Sequence, residues 1–183
     1  GGTDPYSASK ASIEILYKSY FESFLKFKNN IHSSTARAGN VIGGGDLSKN
    51  RIVPDAIKSW KKKKKLQLRN PKSTRPWQHV LEPLTGYLHL AEQLSIDPLT
   101  HATAYNFGPG LEANRQVQEL VEKLLVHWPG APGWRDASKS DAPHEAGLLH
   151  LVADRARHRL GWRPRWSFEE TVARTANWYR KVH

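Results

Sequence analysis

The 183 residues contain no cysteine and no methionine. Without a thiol the chain cannot build a disulfide scaffold, a cysteine nucleophile, an iron–sulfur cluster or a Cys-based zinc site. It also has no HExxH or comparable spacing, so no metal centre is expected. No apolar run is long enough to cross a bilayer, and the opening GGTDPYSASK is no signal peptide. A soluble cytoplasmic protein is the expectation. Acid is scarce: 17 Asp+Glu stand against 28 Lys+Arg, a formal net charge of +11. Part of that excess is one run, Lys61 to Lys65, which reads as a solvated surface following a helix. A dinucleotide fingerprint is missing too. Gly43, Gly44 and Gly45 lack the GxGxxG spacing, and no strongly apolar strand precedes them. The missing methionine and a helical pattern opening almost at once read as a processed or truncated chain.

What is present suits a folded domain. Hydrophobic residues make up 38% of a chain of one domain's length. A helix is predicted from about Ser7 to Phe27, capped by Asp4 and Pro5, with Ile13, Leu16, Tyr17, Tyr20, Phe21 and Phe24 at spacings of three and four. A polar strand at 33–38 and a glycine loop at 39–46 follow. Further helices are predicted at 51–60, 82–94, 114–127, 153–160 and after Ser167, whose partner Glu170 completes a capping box. In the second of these, Leu84, Tyr87, Leu88, Ala91 and Leu94 share a side. Short strands are predicted at 66–69, 76–80, 104–107 and 148–152, and a loop at 128–143. Helices interleaved with short strands imply an α/β fold.

The chemistry is concentrated at Tyr6 and Lys10, four apart and so one helical turn apart on one face. A phenol beside an ammonium can take a proton from a sugar hydroxyl while hydride leaves the same carbon for a nicotinamide. Alone, such a pair is a common coincidence. Here Tyr6-Ser-Ala-Ser-Lys10 is followed by an aromatic-rich helix, then Thr35-Ala-Arg37-Ala-Gly-Asn40-Val-Ile-Gly-Gly-Gly-Asp46, then Arg51-Ile-Val-Pro-Asp55. Next come Arg69-Asn-Pro71, the block Arg75-Pro-Trp-Gln-His-Val-Leu-Glu-Pro-Leu-Thr-Gly-Tyr87, Tyr105-Asn-Phe-Gly-Pro109, and Leu160-Gly-Trp-Arg-Pro-Arg-Trp166. In this order the blocks resemble the extended short-chain dehydrogenase/reductase family, and within it the 4,6-dehydratases that act on CDP-glucose.

That resemblance implies the C-terminal part of a Rossmann-like fold plus a small mixed α/β nucleotide-sugar-binding domain. Residues 1–50 would end the NAD-binding domain and 51–80 begin the substrate domain. Residues 81–110 would return to the Rossmann-like domain, and 111–183 would complete the substrate domain. It implies NAD as a recycled cofactor, held by Tyr6, Lys10, Arg37 and Asn40, with Tyr6 and Lys10 catalytic. CDP-glucose would be held by Asn40, Arg51, Arg69, Arg75, Asn106 and His144, Arg75 lying on the diphosphate, where a guanidinium fork matches phosphate oxygens. A homodimer through the first helix is implied as well. The glycine-rich half and the acid/base residues of water elimination are absent from this sequence, so the resemblance implies that these residues alone are inactive. Residues 31–34 are more polar than the strand the family has there, and the lysine run is a departure at the surface.

Other readings stay open: a nucleotide-sugar epimerase, a dehydratase for another nucleotide, an inactive fragment, or a basic nucleic-acid-binding module. The last is disfavoured because basic and aromatic residues do not alternate along any strand.

Overall fold

The computed structural model describes residues 4–28, 30–138 and 150–182. Its helices are α1 (Pro5–Tyr20), α2 (Ile52–Lys61), α3 (Leu81–Ile96), α4 (Pro98–His101), α5 (Val117–Val126), α6 (Asp154–Arg159) and α7 (Phe168–Val182). Eight short strands are β1 (Ala36–Ala38), β2 (Val41–Ile42), β3 (Leu66–Leu68), β4 (Thr74–Pro76), β5 (Gln78–His79), β6 (Tyr105–Phe107), β7 (Asn114–Gln116) and β8 (Trp134–Asp136). They pair two by two. β1 runs parallel to β6, β2 to β5 and β3 to β8, while β4 and β7 are antiparallel. Parallel pairing needs a long crossover, and α3 provides it by carrying the chain from β5 back to β6 beside β1.

Two apolar cores result. The larger joins Val53, Ile57 and Trp60 of α2, Leu66 and Leu68 of β3, Leu120 and Leu124 of α5, and Val172 and Tyr179 of α7. Each large side chain removed from water here contributes about 1.5–3 kcal/mol. The smaller joins Leu90 of α3, Tyr105 and Phe107 of β6, Ala156 of α6, Leu160 and Trp162. Within residues 111–183, α6 and Trp162 pack in the β6 core and α7 packs in the larger one.

Several expected elements are redrawn. The first helix leaves α geometry at Tyr20 and continues as a π-turn over Phe21–Leu25. A two-residue strand, β2, lies inside the expected glycine loop. Residues Asn114–Gln116 pair with β4 before α5 begins, because Gln116 and Glu119 form a reciprocal capping box that fixes the helix start. β8 falls in the stretch expected to be a loop, tied down where the indole of Trp60 donates to the Gly133 carbonyl at 2.9 Å. Of the strand expected at 148–152, residues 148 and 149 lie outside the described residues and 150–152 have no strand pairing. On α3 the buried side is Glu82, Pro83, Gly86 and Leu90, whereas Leu84 and Leu88 are exposed. Buried Glu82 accepts the backbone N–H groups of Arg165 and Trp166 at 3.0 and 2.9 Å, fastening the turn before α7 to the start of α3.

Candidate active site

Asp4 accepts from the Ser7 backbone N–H at 2.9 Å and Pro5 opens α1, the start expected from the sequence. This places Tyr6 and Lys10 in the first turns and on one face, the lysine Nζ 5.6 Å from the centre of the phenol ring. Tyr6 is 70% exposed, and α1 buries no residue at all. What attaches α1 to the body is polar. Arg37 of β1 grips Glu14 with Nε and Nη2, both at 2.6 Å, and Thr35 adds a hydroxyl at 3.3 Å. The hydrogen bonds from Arg37 hold the Glu14 carboxyl below the usual carboxylate range.

Arg37 was expected on the cofactor. Its fork is committed to Glu14, and its Nη1 donates to Asn106 Oδ1 at 3.3 Å. Asn106, expected on the substrate, donates in turn to the Val152 carbonyl at 3.0 Å. In this structure the two residues are struts joining α1, β1, β6 and the segment before α6. Sequence spacing could not show this, because Glu14 lies on a different element from both.

The other expected substrate residues do converge. Asn40, Arg51, Arg69 and Arg75 line one cleft of about 270 Å³ between β2, the start of α2, β3 and β4. Arg51 occupies the N-cap of α2 and Arg69 follows β3 directly. Arg75 lies on β4 and donates through Nη1 to the Thr74 carbonyl at 2.8 Å. Neither Tyr6 nor Lys10 forms part of the cleft wall. His144 lies outside the described residues.

One wall of the cleft is the glycine loop, and its shape is imposed from far away in sequence. A Cβ on Gly44 would overlap the Trp178 ring of α7, so that position must be glycine for the helix to lie this close. One residue on, the Tyr179 hydroxyl donates to the Asp46 carbonyl at 2.5 Å. Burial, reinforced by the Asp46 charge, pushes that hydroxyl up to about 12. The Asp46 carboxylate holds the Ser48 N–H at 2.9 Å. The base of the loop is set by Gln78, whose backbone N–H donates to the Asn40 carbonyl at 3.1 Å and whose Nε2 donates to the Phe107 carbonyl at 2.9 Å.

Sequence reasoning missed several cleft residues: Asp46, Asn50, Asp55, Gln67, Asn70 and Ser73. For Gln67 the signal was available, since it alternates with buried Leu66 and Leu68 and so faces away from the core. Among the described residues no group of three or more His, Asp or Glu side chains could hold a metal ion, and no helix is long and apolar enough to cross a membrane.

Comparison with known proteins places this geometry. The chain is 39% identical over 184 residues to a CDP-glucose 4,6-dehydratase from Salmonella typhimurium, covering 98% of this chain and 51% of the relative. A dTDP-D-glucose 4,6-dehydratase from Mus musculus is 26% identical, covering 98% and 48%. Among solved structures, a dTDP-glucose 4,6-dehydratase from Streptomyces venezuelae with NAD bound superposes with a TM-score of 0.80 at 23% identity, covering 99% of this chain and 52% of the other. That likeness shows the Rossmann-like fold expected from the sequence. The chain spans about half the length of the curated relatives it matches. The family described as GDP-mannose 4,6 dehydratase matches residues 2–175, so nearly the whole sequence, cleft and Tyr–Lys helix included, belongs to that family.

Proposed function

We propose that the chain supplies the C-terminal half of an NAD-dependent lyase that converts CDP-D-glucose to CDP-4-dehydro-6-deoxy-D-glucose. The observation that carries this reading is the convergence of Asn40, Arg51, Arg69 and Arg75 on one cleft. Three arginines lining one space suit a diphosphate, whose oxygens accept the paired donors of a guanidinium.

The residues present fit a nicotinamide cofactor. Tyr6 and Lys10 share an open face of α1, which leaves the ammonium able to hold ribose hydroxyls and the phenol able to meet a sugar hydroxyl. NAD, when bound, supplies the acceptor for hydride from C4 of the glucose unit and returns that hydride to C6. Tyr6 takes the C4 hydroxyl proton as the hydride departs. Lys10 stabilises the charge that develops on the phenolic oxygen. The resulting 4-keto group acidifies C5–H, and water is lost across C5 and C6. Asn40, at the junction of β1 and β2, serves both cofactor and sugar. Arg51, Arg69 and Arg75 hold the diphosphate, with His144 beside the nucleotide. Arg37 and Asn106 act through position, keeping α1 against β1. The segments 1–50 and 81–110 serve the cofactor side, and 51–80 with 111–183 serve the substrate side. A homodimer formed through α1, acting in the cytoplasm, completes the reading.

The test has two arms. Arg75→Ala should weaken CDP-glucose binding by about 10- to 100-fold, the loss of a charge-assisted pair, as read by titration calorimetry. In the complete enzyme Tyr6→Phe should abolish formation of the 4-keto-6-deoxy product while NAD binding persists. Product formation only from a dTDP-, GDP- or UDP-sugar, or a normal rate in Tyr6→Phe, refutes the assignment.

A further inference from the structure

The cleft holds a carboxylate that diphosphate binding leaves unused. Asp55 lies in the first turns of α2, partly buried, and lines the same space as Arg51, Arg69 and Arg75. Among the described residues its carboxylate makes no ion pair or hydrogen bond. Asp55, Leu66 and Gln67 also line a second depression of about 670 Å³, which Lys58, Lys64, Lys65 and Arg135 line as well, whereas Asn40, Val41, Ile42 and Gly43 line the first cleft alone. The three shared residues mark the end of the cleft away from the glycine loop, and Asp55 and Gln67 are the polar side chains among them.

A group placed there must bring hydrogen-bond donors. A bare carboxylate only accepts, and it repels a carbonyl or an anion that presents lone pairs to it. Pyrimidine bases differ at this point. Cytosine carries a 4-amino group, which donates, where uracil and thymine carry a 4-carbonyl, which accepts. Gln67, with both an amide N–H₂ and an amide oxygen, can serve the neighbouring ring nitrogen and 2-carbonyl. We propose that Asp55, with Gln67 beside it, is the base-selecting element of the cleft and accepts from the 4-amino group of a cytosine nucleoside diphosphate. This rests on the reading of the cleft as a nucleotide-sugar site and adds the residue that chooses the nucleotide.

Asp55→Asn is the decisive substitution, because it keeps size and replaces one acceptor by a donor that suits a 4-carbonyl. The purified protein is titrated calorimetrically with CDP, UDP, dTDP and GDP. The unsubstituted protein should prefer CDP over UDP by about tenfold or more, the value of one well-made polar contact against a mismatched one. In Asp55→Asn that ratio should fall by about tenfold or invert, with UDP binding retained, which also shows that the variant is folded. Gln67→Ala should lower CDP affinity more than UDP affinity. If Asp55→Asn weakens CDP and UDP equally or leaves their ratio unchanged, the diphosphate cleft stands and the base assignment falls. Tighter binding of GDP than of CDP by the unsubstituted protein overturns it as well. Absence of binding by all four nucleotides rejects the nucleotide cleft itself, and the assignment with it.

Discussion

His79 shows how one side chain can be read physically. Its Nδ1 accepts the Leu81 backbone N–H at 3.3 Å, satisfying a donor at the start of α3, and its ring meets Trp166 edge-on at 4.8 Å. Burial, and after it the charge of Arg174, pushes its pKa below the ordinary histidine value, with Glu82 opposing. The folded state therefore favours the neutral ring. The associated stability is complete above the ordinary histidine value of about 6.5 and is lost as pH falls from there toward the depressed folded value. His79→Phe should shrink the drop in thermal midpoint between about pH 7 and pH 5 relative to the unsubstituted protein; an equal drop in both would exclude His79 as its source. At this scale the sequence was partly readable. Asn40, Arg51, Arg69 and Arg75 were found because each sits in a block that survives as a short local element. The contacts of Arg37 and Asn106 were not readable, because their partners, Glu14 and Val152, come from other elements, and no local spacing reports such a meeting.

Among the elements, α3 is the instructive one. Its leucines suggest one apolar side through Leu84 and Leu88, but the helix packs through Gly86 and Leu90. A Cβ at Gly86 would overlap the Phe107 ring and crowd the Trp162 indole, so glycine is what lets α3 lie directly on β6. Gly86→Ala should lower stability by about 1–3 kcal/mol through overpacking, measured by denaturant unfolding. The same change on an exposed helix face would be expected to stabilise, so a gain in stability would contradict this packing. Helices with clear caps were legible: Asp4 before α1 and Ser167 before α7, whose hydroxyl accepts the Glu170 N–H at 3.1 Å. The strands β7 and β8 were not, since three residues hold too little periodicity and their pairing with β4 and β3 is decided by distant segments.

For the molecule as a whole, α1 stands apart. Ile15, Leu16 and Phe27 are each about two-thirds exposed or more on or just beyond a helix that buries nothing. Under the proposed dimer, light scattering should give twice the chain mass, and Leu16→Glu should return it to the monomer by placing a charge in an apolar seam. A monomeric mass for the unsubstituted protein would remove the dimer from the proposal. The α/β class was legible from alternation of elements, but the partition into two cores was not, because α6 and α7 follow one another in sequence and pack in different cores. The clasp of α7 on the glycine loop has a consequence for synthesis. The Tyr179–Asp46 contact spans 133 residues. A ribosome can therefore have delivered Asn40 and all three cleft arginines while the wall beside them still lacks its brace. Ligand affinity in nascent chains of increasing length should stay low until the last helix emerges, then rise in one step.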